Sequence, residues 1–194
     1  MKILDIIKNP SKAVKAAKKQ DYGKTFLVLV VCAVLFGVAS FILATVWWQA
    51  LLTMIIVFLA TMLTGLILGT LMFYLTSNGF FYEGLTTMTY SLFPFALGAV
   101  LLSILFTVFL PVGIISLVLS AVLMILIFVF SAAISFALFF RVAKELYKTD
   151  MITVFIAYIF LWIVMSFGYI GMYFAFMATK LFPLFSMGGF MGGF

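Results

Sequence analysis

Residues 25–82 read TFLVLVVCAVLFGVASFILATVWWQALLTMIIVFLATMLTGLILGTLMFYLTSNGFFY and contain no Asp, Glu, Lys or Arg. Residues 84–140 and 151–179 are also free of formal charge. A helix that crosses the hydrocarbon core of a bilayer needs about 20 mostly apolar residues. The two longer stretches are each long enough for two spans and a turn, and the third holds one. The sequence therefore predicts a bundle of five transmembrane helices.

The composition indicates that the solvent of this chain is a bilayer. Hydrophobic residues make up 68% of the 194 residues and charged residues 8%, whereas about 25% are charged in an ordinary soluble domain. Helices satisfy their own backbone hydrogen bonds and can therefore expose apolar side chains to lipid. We expect an all-α integral membrane protein whose first apolar run is a permanent helix, because the lysine-rich residues before it do not form a cleavable signal.

Turn signals divide the chain into segments. Trp47, Trp48 and Gln49 indicate an interfacial turn, and Pro111 with Gly113 predicts a tight hairpin. We expect helices at about residues 25–47, 51–75, 84–110, 112–140 and 152–178, with a charged loop at residues 141–150. The predicted domains are a basic cytoplasmic or interfacial segment over residues 1–24, the transmembrane domain over residues 25–179, and a short tail rich in Gly, Phe and Met over residues 180–194.

Basic residues are distributed unequally between the two predicted sides of the membrane. Seven lysines precede the first span, and Arg141, Lys144 and Lys148 lie between the fourth and fifth spans. Lys180 is the one basic residue predicted on the other side. Since cytoplasmic loops carry the excess of Lys and Arg, the N-terminus is expected in the cytoplasm. The membrane would be the plasma membrane in a prokaryote, or the endoplasmic reticulum or Golgi in a eukaryote.

The N-terminal segment has an amphipathic pattern. At about 100° per residue, its basic and apolar side chains fall on roughly opposite faces. This pattern predicts a helix in the membrane plane that binds anionic headgroups at the inner face. The alternative is a solvated run of charge that only fixes the topology. The expected lipid- or partner-binding residues are Lys8, Lys12, Lys15, Lys19, Arg141 and Lys144.

The residue inventory argues against catalysis and against a metal site. The chain has no histidine and one cysteine, Cys32, which excludes Ser-His-Asp or Cys-His catalysis and a histidine metal site. The five acidic residues all lie near the predicted inner surface. Twelve methionines suggest either Cu(I) ligation or, more simply, adaptable apolar packing. We expect a protein that is not an enzyme, with no cofactor and no metal.

Small residues recur at a spacing of four in the first two predicted helices. Ala33 and Gly37 form one pair, and Gly65 and Gly69 form the other. Such pairs let helix backbones approach closely. They predict either packing between helices of one bundle or a face through which two copies associate.

A patterned region follows the second predicted helix and includes Asn78, Gly79, Glu83, Tyr90 and Pro94. Pro94 lies inside the third helix, where it removes a backbone hydrogen bond and is expected to cause a kink. With Tyr90 one turn earlier, the kink would shape a pocket that opens inward, or would simply bend the helix. We also expect Glu83 to pair with Arg141 or Lys144, because a carboxylate at a membrane boundary is costly unless paired or solvated.

The sequence resembles the Yip-domain family, multi-pass membrane proteins named for their interaction with Ypt/Rab GTPases, and especially its short prokaryotic members. The likeness is carried by the opening Ile3–Pro10 and by Gly79 followed by Tyr90 and Pro94. The resemblance implies a non-enzymatic role. Eukaryotic members of the family act in membrane traffic and bind small GTPases and one another. The acidic or proline-rich region and the Asp-Leu-Tyr-Gly-Pro type motif that precede their first span have no counterpart here.

Two functions are therefore predicted. The first is a partner-binding or membrane-organising protein that contacts membrane lipids, a second copy of the chain or another membrane protein, and that does not bind nucleic acid. The second is a small oligomeric permease or lipid-handling channel for neutral or lipid substrates. The second would be favoured by a continuous polar cavity lined by Thr61, Thr64, Asn78, Thr87 or Tyr90.

Overall fold

The computed structural model describes residues 22–79, 81–109 and 114–167, and all regular secondary structure in these ranges is α-helical. The four long helices are α1 (Tyr22–Ala44), α2 (Trp47–Thr76), α3 (Phe81–Phe109) and α4 (Ile114–Tyr147). A shorter apolar helix, α5 (Met151–Phe167), follows. No strand occurs within the described ranges.

Four helical segments are long and apolar enough to cross a membrane: Gly23–Ala44, Trp47–Thr76, Phe81–Val108 and Ser120–Tyr147. The chain is thus a multi-pass helical membrane protein. The predicted N-terminal helix, with Lys8, Lys12, Lys15 and Lys19, lies outside the described residues, as do the predicted end of the fifth span and the tail over residues 180–194.

The chain divides into two compact units, Met1–Ala157 and Tyr158–Phe194. The first unit contains the four long helices and the beginning of α5. In the second unit, the described residues are the rest of α5, residues 158–167.

Within the first unit, α3 is the central helix. It packs against α1, α2 and α4, and α1 also packs against α2. Val28 and Cys32 of α1 meet Phe93 and Ala96 of α3 in a buried cluster. Because lipid tails are as apolar as these side chains, close packing rather than the hydrophobic effect stabilises such a contact.

Glycines permit the closest of these approaches, at the crossing of α2 and α3. A Cβ atom on Gly65 would lie 2.8 Å from the Leu85 Cα, and one on Gly84 would lie 2.9 Å from the Gly69 Cα. Both neighbours are backbone atoms, so a side chain at either position would force the helices apart. Gly65 and Gly69 are therefore buried inside the bundle, which is the arrangement expected for packing between its own helices.

The other predicted pair of small residues also lies inside the bundle. Gly37 faces α2, where an added Cβ would lie 3.2 Å from the Ala50 carbonyl oxygen and even closer to the Met54 side chain. Ala33 is buried one turn away on the same helix. Neither pair therefore lies on the surface that the first unit presents to its surroundings.

The turn between α1 and α2 differs from the prediction. It consists of Thr45 and Val46, and Trp47, Trp48 and Gln49 already belong to α2. Thr45 has a left-handed backbone with φ of 55°, and its N–H donates to the Phe41 carbonyl at 2.7 Å. It follows the end of α1 at Ala44, three residues before the end expected from the tryptophans, and the exposed indole rings extend from the first turn of α2.

The predicted charged loop at residues 141–150 was wrong in extent. Arg141 and Lys144 lie in the last two turns of α4, and the connection to α5 contains only Lys148, Thr149 and Asp150. Residues 141–147 include no Pro or Gly and several strong helix formers, so nothing stops the helix at the membrane boundary. A left-handed Lys148, with φ of 52°, follows the end of α4.

Candidate functional site

The loop after α2 is fixed by its own hydrogen bonds. Ser77 ends the helix in a left-handed conformation, and its N–H donates to the Phe73 carbonyl at 2.8 Å. The Asn78 side-chain amide donates to the Thr76 carbonyl at 3.1 Å. Gly79 has φ of +72°, a conformation that glycine adopts without the steric cost met by other residues. Asn78 and Gly79 therefore determine how the chain turns from α2 towards α3.

The Tyr147 ring, from the end of α4, packs directly on this loop. A Cβ on Gly79 would lie 2.8 Å from Tyr147 Cε1 and 3.2 Å from Glu83 Cγ. Tyr147 is fully buried, and its hydroxyl has no hydrogen-bond partner in the part of the chain that the structure describes. We call Gly79, Glu83 and Tyr147 the Tyr147 cluster. It brings together the end of α2, the start of α3 and the end of α4 at one end of the bundle.

Sequence reasoning singled out Gly79 and Glu83 but missed Tyr147. A signal was present in the spacing of the apolar residues at the end of α4. Phe140, Ala143, Leu146 and Tyr147 recur every three or four residues and are all buried, which is the pattern of a helix with one packed face. The surrounding charges are equally typical of a loop, so they obscure this periodicity.

The opposite face of the same two turns is charged. Arg141, Lys144, Glu145 and Lys148 are exposed, while Val142, Ala143, Leu146 and Tyr147 between them are buried. We call Arg141, Lys144 and Lys148 the basic end of α4. The end of α4 is held in place by its buried face and by the Tyr147 cluster. The predicted ion pair between Glu83 and Arg141 or Lys144 remains a prediction.

Asp150 fixes the start of α5. Its carboxylate accepts a hydrogen bond from the Thr153 hydroxyl and a second, at 3.2 Å, from the Thr149 hydroxyl. The Thr153 hydroxyl, together with the backbone N–H groups of Asp150 and Thr153, holds the pKa of the exposed Asp150 carboxyl below its usual range. This is the arrangement of an N-cap, in which a side-chain oxygen satisfies an otherwise unpaired helical N–H.

Tyr90 and Pro94 both lie within α3, which continues through Pro94 without interruption. Tyr90 is almost completely buried. Because Pro94 has no N–H, the Tyr90 carbonyl lacks its usual intrahelical donor. The kink and the inward-opening pocket remain predictions.

Buried hydroxyl groups are concentrated around the first half of α3. Thr86, Thr87 and Thr89 are fully buried, and the Thr86 and Thr25 hydroxyl oxygens lie 3.3 Å apart. The buried free thiol of Cys32 lies 3.9 Å from the Thr89 carbonyl oxygen. These contacts join α1 to α3 through polar groups in the interior.

A polar cavity lined by threonine hydroxyl groups would favour a permease, but three of these hydroxyls donate to their own helices. The Thr61, Thr64 and Thr87 hydroxyls donate to the carbonyl oxygens four residues earlier, at 2.7, 2.9 and 2.8 Å. These bonds reduce the capacity of the three side chains to bind a polar solute.

A cavity of about 890 Å³ lies among α1, α2, α3 and α4, at the end of the bundle opposite Tyr147. It is lined by Phe36, Ala39, Ser40, Leu43, Ala44, Thr53, Ala99, Leu102, Ser103, Phe106, Met124, Ile125 and Phe128. It contains none of the five residues whose presence in a polar cavity would favour a permease: Thr61, Thr64, Asn78, Thr87 and Tyr90. The sequence contained no signal for this cavity, because its wall is composed of ordinary apolar side chains from four separate helices.

In the described ranges, no group of three or more His, Cys, Asp or Glu side chains is placed to hold a metal ion. Comparison with known proteins found no family model, no curated protein and no solved structure that matches this chain. The described features that bear on function are therefore the Tyr147 cluster, the basic end of α4 and the apolar cavity.

Proposed function

We propose that this protein is a non-enzymatic membrane protein that binds partners and organises the membrane through its basic cytoplasmic face. In this proposal the bundle has five spans and an amphipathic interfacial helix at a cytoplasmic N-terminus. It works in the plasma membrane of a prokaryote or in the endoplasmic reticulum or Golgi of a eukaryote. The likeness of Ile3–Pro10 and of Gly79, Tyr90 and Pro94 to the Yip-domain family supports a role of this kind.

The observation that carries the proposal is the basic end of α4. Arg141 and Lys144 are exposed on a helix whose other face is buried, and the exposed Lys148 directly follows its end, so the fold sets the positions of all three residues. A basic residue held near an anionic membrane surface contributes about 1 kcal/mol of attraction. If the charge asymmetry sets the orientation, Lys8, Lys12, Lys15 and Lys19 lie on the same side and extend this basic surface.

The expected ligands of this surface are the anionic headgroups of the inner leaflet. A second copy of the chain or another membrane protein would bind alongside, through the apolar faces of the spans. Binding of a small GTPase is proposed from the family resemblance alone.

The alternative function, a small oligomeric permease or lipid-handling channel, divides into two cases. The polar-solute case is weakened by the hydrogen bonds of Thr61, Thr64 and Thr87 to their own helices. The lipid-handling case is supported by the apolar cavity at the other end of the bundle.

Neutralisation of the basic end tests the first proposal. The full chain carrying Arg141→Gln, Lys144→Gln and Lys148→Gln is reconstituted in nanodiscs of mixed neutral and anionic phospholipid. Native mass spectrometry then measures the anionic lipid that remains bound. We expect retention to fall by up to about fivefold for each cation removed, the factor that corresponds to about 1 kcal/mol.

Glu145→Gln is the matched control, because Glu145 is exposed on the same turns and its replacement removes a negative charge. It should leave retention unchanged or raise it. Equal retention in the triple variant and in this control would contradict a headgroup-binding role for the basic end of α4.

A further inference from the structure

The apolar cavity lies at the depth of lipid acyl chains. Exposed Trp47 and Trp48 begin α2 at this end of the bundle, and indole rings favour the level of the headgroups. Along α1, the cavity wall extends from Ala44, beside that turn, to Phe36. At 1.5 Å per helical residue, this is a depth of about 12 Å into the membrane.

The chemistry of the wall suits a hydrocarbon chain. Its three hydroxyl groups are Ser40, Thr53 and Ser103. The Ser40 and Thr53 hydroxyl oxygens lie 3.1 Å apart, and Thr53 also donates to the Gln49 carbonyl at 2.8 Å. Ser103 donates to the Ala99 carbonyl at 2.7 Å. Because these hydroxyls already bond within the protein, the cavity presents an essentially apolar surface.

A cavity of this kind is unfavourable when empty. Side chains around a void lose their dispersion contacts, and water is a poor occupant because it needs two to four polar partners. The volume, about 890 Å³, lies within the range of roughly 300–1,000 Å³ that is typical of ligand sites. The cavity is open on one side, and the medium at this depth is hydrocarbon.

We propose that this cavity binds an acyl chain of a membrane phospholipid, with its headgroup at the level of Trp47 and Trp48. The occupant is bound by its chain and not by its headgroup charge. The site is therefore independent of the basic end of α4, which lies at the other end of the bundle.

Photo-crosslinking with a neutral lipid tests the proposal. The full chain is reconstituted in vesicles that contain phosphatidylcholine with a diazirine on one acyl chain. After illumination, mass spectrometry of peptides locates the crosslinks. We expect them to be enriched at Phe36, Leu102 and Met124, which are partly buried in the cavity wall, relative to Leu59 and Phe130, which are exposed on α2 and α4 outside the cavity.

Filling the cavity should remove this enrichment. Ala99→Phe places a ring in the cavity and should lower crosslinking of its wall by about tenfold or more, since even one methylene group in an apolar site changes affinity by about tenfold. Ala60→Phe is the matched control, because Ala60 is exposed on α2 and does not line the cavity. It should leave the pattern of the native chain unchanged.

If Ala99→Phe does not yield a folded, monodisperse protein, Ala39→Leu on the α1 wall tests the same point with a smaller side chain. Crosslinks spread evenly over the cavity wall and the outer faces would overturn the proposal. Equal crosslinking of the cavity wall in the native chain and in the filled variant would also overturn the proposal. Absence of wall crosslinks in the native chain would show that another occupant, such as a segment of this chain or a second copy, fills the cavity.

Discussion

Replacement of Gly84 by alanine should separate α2 from α3. The added Cβ would clash with the Gly65 carbonyl oxygen and would lie 2.6 Å from the Gly69 backbone nitrogen and 2.9 Å from the Gly69 Cα. Carbon atoms pack best at about 3.5–4.0 Å, so the helices must move apart by at least about 0.6–1 Å. A gap of that size forfeits a quarter to a half of the dispersion energy of each atom pair at the crossing.

The expected loss of stability is therefore about 1–3 kcal/mol, the usual cost of overpacking a well-packed interior. Gly23→Ala is the matched control, since a Cβ at Gly23 would meet nothing within 4 Å. It should be neutral or stabilise the protein by up to about 1 kcal/mol, because alanine is the better helix former.

Reversible unfolding of the detergent-solubilised protein in a titration with a denaturing detergent, followed by circular dichroism, gives both free energies. If Gly84→Ala unfolds at the same midpoint as the native chain or as Gly23→Ala, the helices do not approach at this crossing as closely as described. The explanation of Gly65, Gly69 and Gly84 as residues required by backbone contact would then be wrong.

Two further predictions concern the end of the bundle at which α4 ends. Tyr147→Phe should stabilise the protein by up to about 1–3 kcal/mol, because it removes a buried hydroxyl that has no partner in the described residues and so carries a desolvation cost. Tyr147→Ala should cost about 3–5 kcal/mol. A loss of similar size for both variants in the same detergent titration would show that the hydroxyl is bonded. The Asp150 pKa is depressed in the folded protein, so its stabilising effect is complete above the ordinary pKa of an aspartate and is lost as the pH falls through the depressed value. Asp150→Asn should therefore reduce the dependence of stability on acidic pH, and thermal unfolding with an unchanged pH profile would contradict the cap at the start of α5.

Much of the helical layout was predictable because absence of charge is a strong signal. The stretch quoted first, residues 25–82, contains α1 and α2 almost completely. In a bilayer, a long apolar run must satisfy its backbone bonds as a helix, so the element type follows from composition. The same argument indicated α3 and α4.

The exact ends of helices were less predictable, because they depend on single residues. Thr45 ends α1 through a left-handed backbone that threonine rarely adopts, and no turn residue such as Gly or Asn marks the position. At the end of α4, the charges of Arg141 and Lys144 led to the expectation of a loop, but charge does not stop a helix. The periodicity of the buried residues there was the better guide.

The contacts between helices could not be derived from sequence alone. The spacing of Gly65 and Gly69 predicted a close helix approach, but the partner, Gly84 of α3, depends on how the helices cross. The role of Tyr147 depends in the same way on the position of Gly79, which lies far away in the sequence. The apolar cavity arises from side chains on four helices, none of which is unusual by itself.

The side of the membrane reached by each turn tests the central claim most directly. Single cysteines replace Thr45, Ser77 and Thr149 in a Cys32→Ala background, with Ser11→Cys and Ser186→Cys added to test the two termini. A membrane-impermeant maleimide is applied to intact and then to permeabilised cells. We predict that Thr45→Cys and Ser186→Cys react from outside, while Ser11→Cys, Ser77→Cys and Thr149→Cys react only after permeabilisation. Labelling of Ser11→Cys and Ser186→Cys from the same side would contradict five spans. Labelling of Thr45→Cys and Thr149→Cys from the same side would contradict a multi-pass bundle with its basic face in the cytoplasm.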